Sequence, residues 1–141
     1  MNFDENCFYC SKNEELDNLM IKICDLKAAT LYLFKEQTYK GRCNVVFKEH
    51  KSELADLTEE EAALYANDIA TAARAIRKAF NPDKINYGAF ADNMKHLHFH
   101  VVPKYEGGPE WKQMFNMNPG KTYLSDDEYN EIINKIKNNI E

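Results

Sequence analysis

His96-Leu97-His98-Phe99-His100-Val101-Val102-Pro103 is the stretch on which the reading of the chain turns. Histidine alternates with an apolar residue three times, and Pro103 and the polar Lys104 end the run. Strict alternation among β-branched and aromatic residues predicts a half-buried strand. Residues two apart on a strand share a face, about 6.5–7 Å from one another. The spacing therefore predicts one row of imidazoles, His96, His98 and His100, with Leu97, Phe99 and Val101 packed into a core behind it. The chain has four histidines, and the fourth is His50. Three of the four fall on alternate positions of one strand, which points to metal ligation or catalysis.

Outward from this strand, the chain reads as α+β. Toward the N-terminus, Ile21 to Leu26 and Thr30 to Phe34 read as short strands around a tight reversal at Asp25 to Ala28. A third strand, Arg42 to Phe47, delivers His50 just past its end. Thr58-Glu59-Glu60-Glu61 is a capping box, with Leu57 and Ala62 placed to form a hydrophobic staple. Tyr65, Ile69, Ala73, Ile76 and Phe80 continue at helical spacing until Asn81-Pro82. A strand near Ile85 to Ala89 leads through a polar turn, Ala91 to Lys95, into the histidine strand as an antiparallel hairpin. The stretch after Pro103, with Gly107-Gly108-Pro109 and Asn118-Pro119-Gly120, is expected to be irregular. Ser125-Asp126-Asp127-Glu128 is a second capping box, opening a helix with Tyr129, Ile132, Ile133, Ile136 and Ile140 on one face. Asn2 to Lys12 reads as a loop, and Asn13 to Met20 as weakly helical.

With 141 residues and no interdomain linker, the chain is expected to be one domain over 1–141, with 104–141 as a C-terminal extension. Hydrophobic residues make up 44%, which is globular rather than disordered composition. A net charge of −5 argues against a general nucleic-acid coat but leaves room for a small anionic ligand. The opening MNFDENCFYC is unlike a secretory leader, and no apolar run reaches about 20 residues. A soluble, cytoplasmic protein without membrane partners is expected. Cys24 and Cys43 lie in apolar runs and read as small buried hydrophobes.

Cys7 and Cys10 are spaced as a Cys-x-x-Cys pair, which zinc sites and redox motifs share. A tetrahedral zinc needs two further ligands, and His50 and His96 are the natural candidates. A competing arrangement makes His96, His98 and His100 a catalytic His₃ zinc site.

The string HLHFHVV resembles, without a departure, the signature of the histidine triad (HIT) family, and the resemblance runs from Cys7 to about Pro103. It implies a HIT-like fold, an antiparallel sheet of about five strands with one long helix and a C-terminal helix. It also implies a nucleotide hydrolase or transferase in which His98 attacks an α-phosphate and forms a nucleotidyl-histidine. Dinucleoside polyphosphates or nucleoside phosphoramidates are the substrates expected. The His96 carbonyl would accept the proton of the other His98 nitrogen, and His100 would donate to the phosphate. Some members hold a structural zinc with residues matching Cys7, Cys10, His50 and His96. Members are usually dimers, so a homodimer is expected. For nucleotide binding, the resemblance points to Asn86, and to Asn93 where relatives commonly carry Ser or Thr. Arg42 stands where many members have a histidine after glycine, able to bind phosphate bidentately or to cap the strand at the surface. Glu36 is the candidate for the ribose hydroxyls. Trp111 and Asn118-Pro119-Gly120 resemble a tail that some relatives lay near a partner's site. A nucleotide- or zinc-binding module without turnover is the alternative in another functional class.

Overall fold

The computed structural model describes residues 3–141. Five strands form one antiparallel sheet: β1 (Met20–Asp25), β2 (Ala29–Phe34), β3 (Cys43–Phe47), β4 (Lys84–Gly88) and β5 (His98–Lys104), in the order β1-β2-β3-β5-β4. Two short helical segments, α1 (Phe8–Ser11) and α2 (Glu14–Leu19), precede the sheet. The long helix α3 (Glu59–Phe80) joins β3 to β4, and α4 (Asp126–Lys137) ends the chain. This is the α+β, HIT-like arrangement expected of the sequence. None of the described helices is long and apolar enough to cross a membrane.

Alternation along the strands divides the sheet into two faces. Leu31 and Leu33 of β2, Val45 of β3 and Val101 of β5 are fully buried against α3 and α4, with Tyr65, Ala72, Ile76 and Ile136 opposite. Burying branched side chains of this size stabilises the fold by about 1.5–3 kcal/mol each. Both helices start at the capping boxes legible in the sequence, through Thr58 with Glu61 and Ser125 with Glu128. Asn81, in the left-handed region at φ 49°, closes α3 before Pro82. Asp68 of α3 reaches the β1–β2 reversal, where its carboxylate accepts from the backbone N–H of Lys27 (3.2 Å) and Ala28 (2.6 Å).

The other face carries His98 and His100. In register with them stand Val46 and Asn44 on β3, and Gly88 on β4 beside His100. The helical segments α1 and α2 cover one end of this face through Tyr9 and Leu16, against Met20, Tyr32, Phe34 and Val46. The irregular stretch 105–123 covers the other end, where Phe115 packs on Tyr39 and Val102. That stretch is pinned by Glu36, whose carboxylate accepts from the N–H of Lys121 and Thr122 at 2.8 Å each.

Two expectations are corrected. Cys7 to Cys10 is not loop but leads directly into a helical turn, because Ser11 N–H bonds back to the Cys7 carbonyl at 2.9 Å. The histidine strand starts at His98 rather than His96, because the His96 N–H turns back to the Met94 carbonyl at 2.8 Å. Sheet pairing picks up one residue later, with Phe47 N–H on the Leu97 carbonyl at 3.0 Å. Tyr9 nevertheless packs its ring 5.3 Å from both His96 and His98.

Candidate active site and metal centre

Hydrogen bonding settles which nitrogen of each imidazole carries the proton, since a carbonyl only accepts and a guanidinium only donates. His98 Nδ1 lies 2.7 Å from the His96 carbonyl oxygen, so Nδ1 carries the hydrogen and the Nε2 lone pair is free. His96 Nε2 lies 2.6 Å from the Phe47 carbonyl oxygen, so its free lone pair is on Nδ1. His100 Nδ1 faces Arg42 Nη2 at 3.3 Å and must accept, which leaves an N–H on Nε2. His98 and His100 have ring centroids 5.0 Å apart. They therefore present a free lone pair and an N–H donor side by side. Burial holds His98 below the ordinary histidine range, partly offset by its bond to the His96 carbonyl. Burial pushes His100 down to about 3, and the nearby His98 and Arg42 add to the effect. Both shifts favour the neutral imidazole.

The two rings open onto a cavity of about 610 Å³. Its walls come from the β4–β5 connection (Phe90 to Met94) and from Met114 to Asn118 of the covering stretch. The walls are mostly apolar, with amide groups at Asn93, Asn116 and Asn118.

The free His96 Nδ1 faces a second constellation. It lies 3.4 Å from Cys7 Sγ, 3.5 Å from Cys10 Sγ and 3.2 Å from His50 Nδ1. Cys10 Sγ is 3.4 Å from His50 Nδ1, and all four donor atoms lie within 4.8 Å of one another. Zinc bonds of about 2.0–2.3 Å in tetrahedral geometry place neighbouring donors about 3.3–3.8 Å apart, so this set has the size and chemistry to hold a metal ion. Asp4 Oδ2 stands 4.0 Å from the outer nitrogen of His50, where it can orient that ring. Among the described residues this is the one cluster of three or more metal-ligating side chains; His98 and His100 are outside it. The His₃ arrangement does not form, because the one free lone pair of His96, on Nδ1, faces Cys7, Cys10 and His50. Tyr9, in the turn between the two cysteines, packs its ring 5.3 Å from both His96 and His98.

The residues expected at the nucleotide part company. Asn93 lines the cavity beside His98 and His100. Arg42 is buried beneath it and touches His100. Asn86 lies further along β4, where its side-chain oxygen accepts from Lys104 Nζ at 3.3 Å, and it is not among the cavity-lining residues. Glu36 is also outside the cavity, its oxygens taken by Thr38, Lys121 and Thr122. Trp111 is half-buried and does not line the cavity. Sequence reasoning missed Tyr9, Asn44 and Met114 to Met117, whereas Asn118 belongs to the Asn118-Pro119-Gly120 stretch singled out by the resemblance and does line the cavity. Asn44 had a signal: a lone amide in the apolar run Cys43 to Phe47, in phase with His100. The Met114 to Met117 segment had none, because no periodic pattern places it.

The HIT domain family matches residues 16–107. The adenosine 5'-monophosphoramidase hnt1 of Schizosaccharomyces pombe is 28% identical over 106 residues, covering 70% of this chain and 74% of that protein. A histidine triad protein from Sinorhizobium meliloti superposes with a TM-score of 0.82 at 23% identity, over 90% of this chain and 94% of the other. A zinc-bound histidine triad family protein from Mycobacterium smegmatis superposes with a TM-score of 0.65 at 21% identity, over 95% and 92%.

Proposed function

The chain belongs to the HIT domain family, and from that premise we propose that it cleaves nucleotidyl substrates at the α-phosphate through a covalent adduct on His98. The observation that carries this reading is the 2.7 Å contact between His98 Nδ1 and the His96 carbonyl, which leaves Nε2 as a neutral, buried nucleophile at the cavity.

Attack by Nε2 forms an N–P bond, and the bond from phosphorus to the leaving group breaks. The leaving group departs with the bonding pair and takes a proton from solvent. Positive charge on the His98 ring is shared through Nδ1–H with the His96 carbonyl. The Nε2–H of His100 donates to a phosphate oxygen as charge builds there. Water then attacks phosphorus, the N–P pair returns to Nε2, and the proton lost by the water goes to solvent. Hydrolysis releases a nucleoside monophosphate. A nucleophile other than water in the second step would make the protein a transferase.

Nucleoside phosphoramidates and dinucleoside polyphosphates are the substrate classes, the first in keeping with the relative named as a monophosphoramidase. Asn93, which lines the cavity beside His98 and His100, is the residue we assign to the leaving group. Cys7, Cys10, His50 and His96 would hold a zinc ion, whose chemistry with four protein ligands is structural. This chain's own residues supply the support: His96 orients His98 through its carbonyl, and Tyr9 packs on both rings. A homodimer is the assembly we propose, with edge strand β4 open to a second copy.

The test is release of AMP from adenosine phosphoramidate and from a diadenosine polyphosphate, comparing the protein with its His98→Ala variant. The proposal expects release by the parent alone, and a denaturation-trapped nucleotidyl adduct that is absent from the variant. Binding without release by the parent would favour a module without turnover. Equal release by both would overturn the covalent step.

A further inference from the structure

Arg42 follows Gly41, whose φ of +94° and approach to Phe80 exclude a larger residue: a Cβ there would lie 2.7 Å from that ring. This turn sends the Arg42 side chain beneath the histidine face, where it is 0% exposed. Neither surface capping nor direct phosphate contact describes it, because it is absent from the residues lining the cavity. Its guanidinium carbon stands 4.1 Å from the ring centre of Phe34 and 5.4 Å from that of Phe115. Its Nε and Nη1 have no hydrogen-bond partner, and no carboxylate of the described residues forms an ion pair with it. Only Nη2 is engaged, 3.3 Å from His100 Nδ1 and 3.3 Å from Met117 Sδ.

A buried guanidinium with no carboxylate in direct contact is costly, and the longer-range attraction of Glu36 offsets its desolvation only in part. A guanidinium offers donors only and stays protonated throughout the physiological range. The atom of His100 that faces it is therefore always an acceptor. We propose that Arg42 is a positioning residue that locks His100 with its proton on Nε2, toward the cavity, and strengthens that donor by polarising the ring from behind. Many family members carry a histidine at this position after the glycine. A histidine can exchange donor and acceptor roles with His100; arginine cannot. The proposal rests on the reading of His98 and His100 as the phosphate-handling pair.

The test joins a spectroscopic and a kinetic measurement on the full chain. Nitrogen chemical shifts of ¹⁵N-histidine-labelled protein report which nitrogen of each imidazole is protonated, without substrate. The parent should show His100 protonated at Nε2 alone. Arg42→Leu should mix the two His100 forms while leaving His98 protonated at Nδ1, and Arg42→Gln, which keeps a donor without the charge, should retain Nε2–H. With adenosine phosphoramidate, Arg42→Leu should lose on the order of 100-fold in kcat with KM little changed, and Arg42→Gln should recover part of the loss. A parent protonated at His100 Nδ1, or an Arg42→Leu protein whose His100 stays at Nε2, would overturn the proposal. A rise in KM at constant kcat would overturn it too, by showing direct substrate binding. If the parent turns over none of these substrates, the functional reading fails while the nitrogen shifts still decide the role of Arg42 in the fold.

Discussion

His96 and His98 are joined through the backbone: the carbonyl of the first lies 2.7 Å from Nδ1 of the second, while the ring of the first belongs to the Cys7–Cys10–His50 cluster. One residue thus serves two centres, its ring one and its carbonyl the other. Disturbing the cluster should therefore be felt at His98.

Replacing Cys10 by Ser tests that link. Loss of a thiolate should abolish stoichiometric zinc, and metal-linked stability in such sites is on the order of 10 kcal/mol. Elemental analysis together with thermal unfolding checks both effects. We expect a metal-free protein with a markedly lower Tm, and turnover reduced although no residue of the cavity has changed.

His100→Ala removes the imidazole N–H donor beside His98, the proposed nucleophile. The expected loss is about 10²–10³-fold in kcat, the size seen when a donor aimed at developing charge is deleted. The adduct on His98 should still form, more slowly, and rapid-quench trapping would detect it.

Glu36 is 4% exposed and accepts from the Thr38 hydroxyl and from the N–H groups of Thr38, Lys121 and Thr122. Burial alone would raise its pKa, but these bonds together outweigh it and hold the carboxyl below the ordinary range. A depressed folded-state pKa means the stabilisation is present above the unfolded carboxylate pKa. It is lost as pH falls through the folded value. Glu36→Gln should therefore cost about 1–3 kcal/mol at neutral pH. The difference from the parent should shrink on acidification, as denaturant titrations at a series of pH values would show.

Asp68→Ala leaves the N–H groups of Lys27 and Ala28 without their acceptor beneath α3. The expected cost is about 1–3 kcal/mol, read from urea unfolding, with kcat unaffected because this reversal lies on the face away from the cavity.

Much of this architecture can be read in the residues. Capping boxes at Thr58 and Ser125 mark both helix starts, because an N-cap is a local device. Alternation marks β5, and spacing brings Cys7, Cys10, His50 and His96 together as anticipated. What fails to show is anything set by long-range contact. The turn at His96 depends on a bond to Met94 that no pattern announces. Glu36 resembles a surface carboxylate until the backbone of residues 121–122 arrives to use it. Arg42 reads as a surface or phosphate-binding cation because nothing local reveals that Phe34 and Phe115 will enclose it.

The stretch from 105 to 123 has a consequence of a different kind. A chain ending at Lys104 would contain the entire HLHFHVV string and all four residues of the metal cluster, yet one wall of the cavity would be missing. One wall of the cavity is thus written on a different stretch of the polypeptide from the histidines themselves. Substitutions at Met114, Asn116 and Asn118 can vary during evolution without altering a strand, a helix or a histidine. A ligand of different shape can be tried there while the histidines and the metal-ligating cluster are inherited intact.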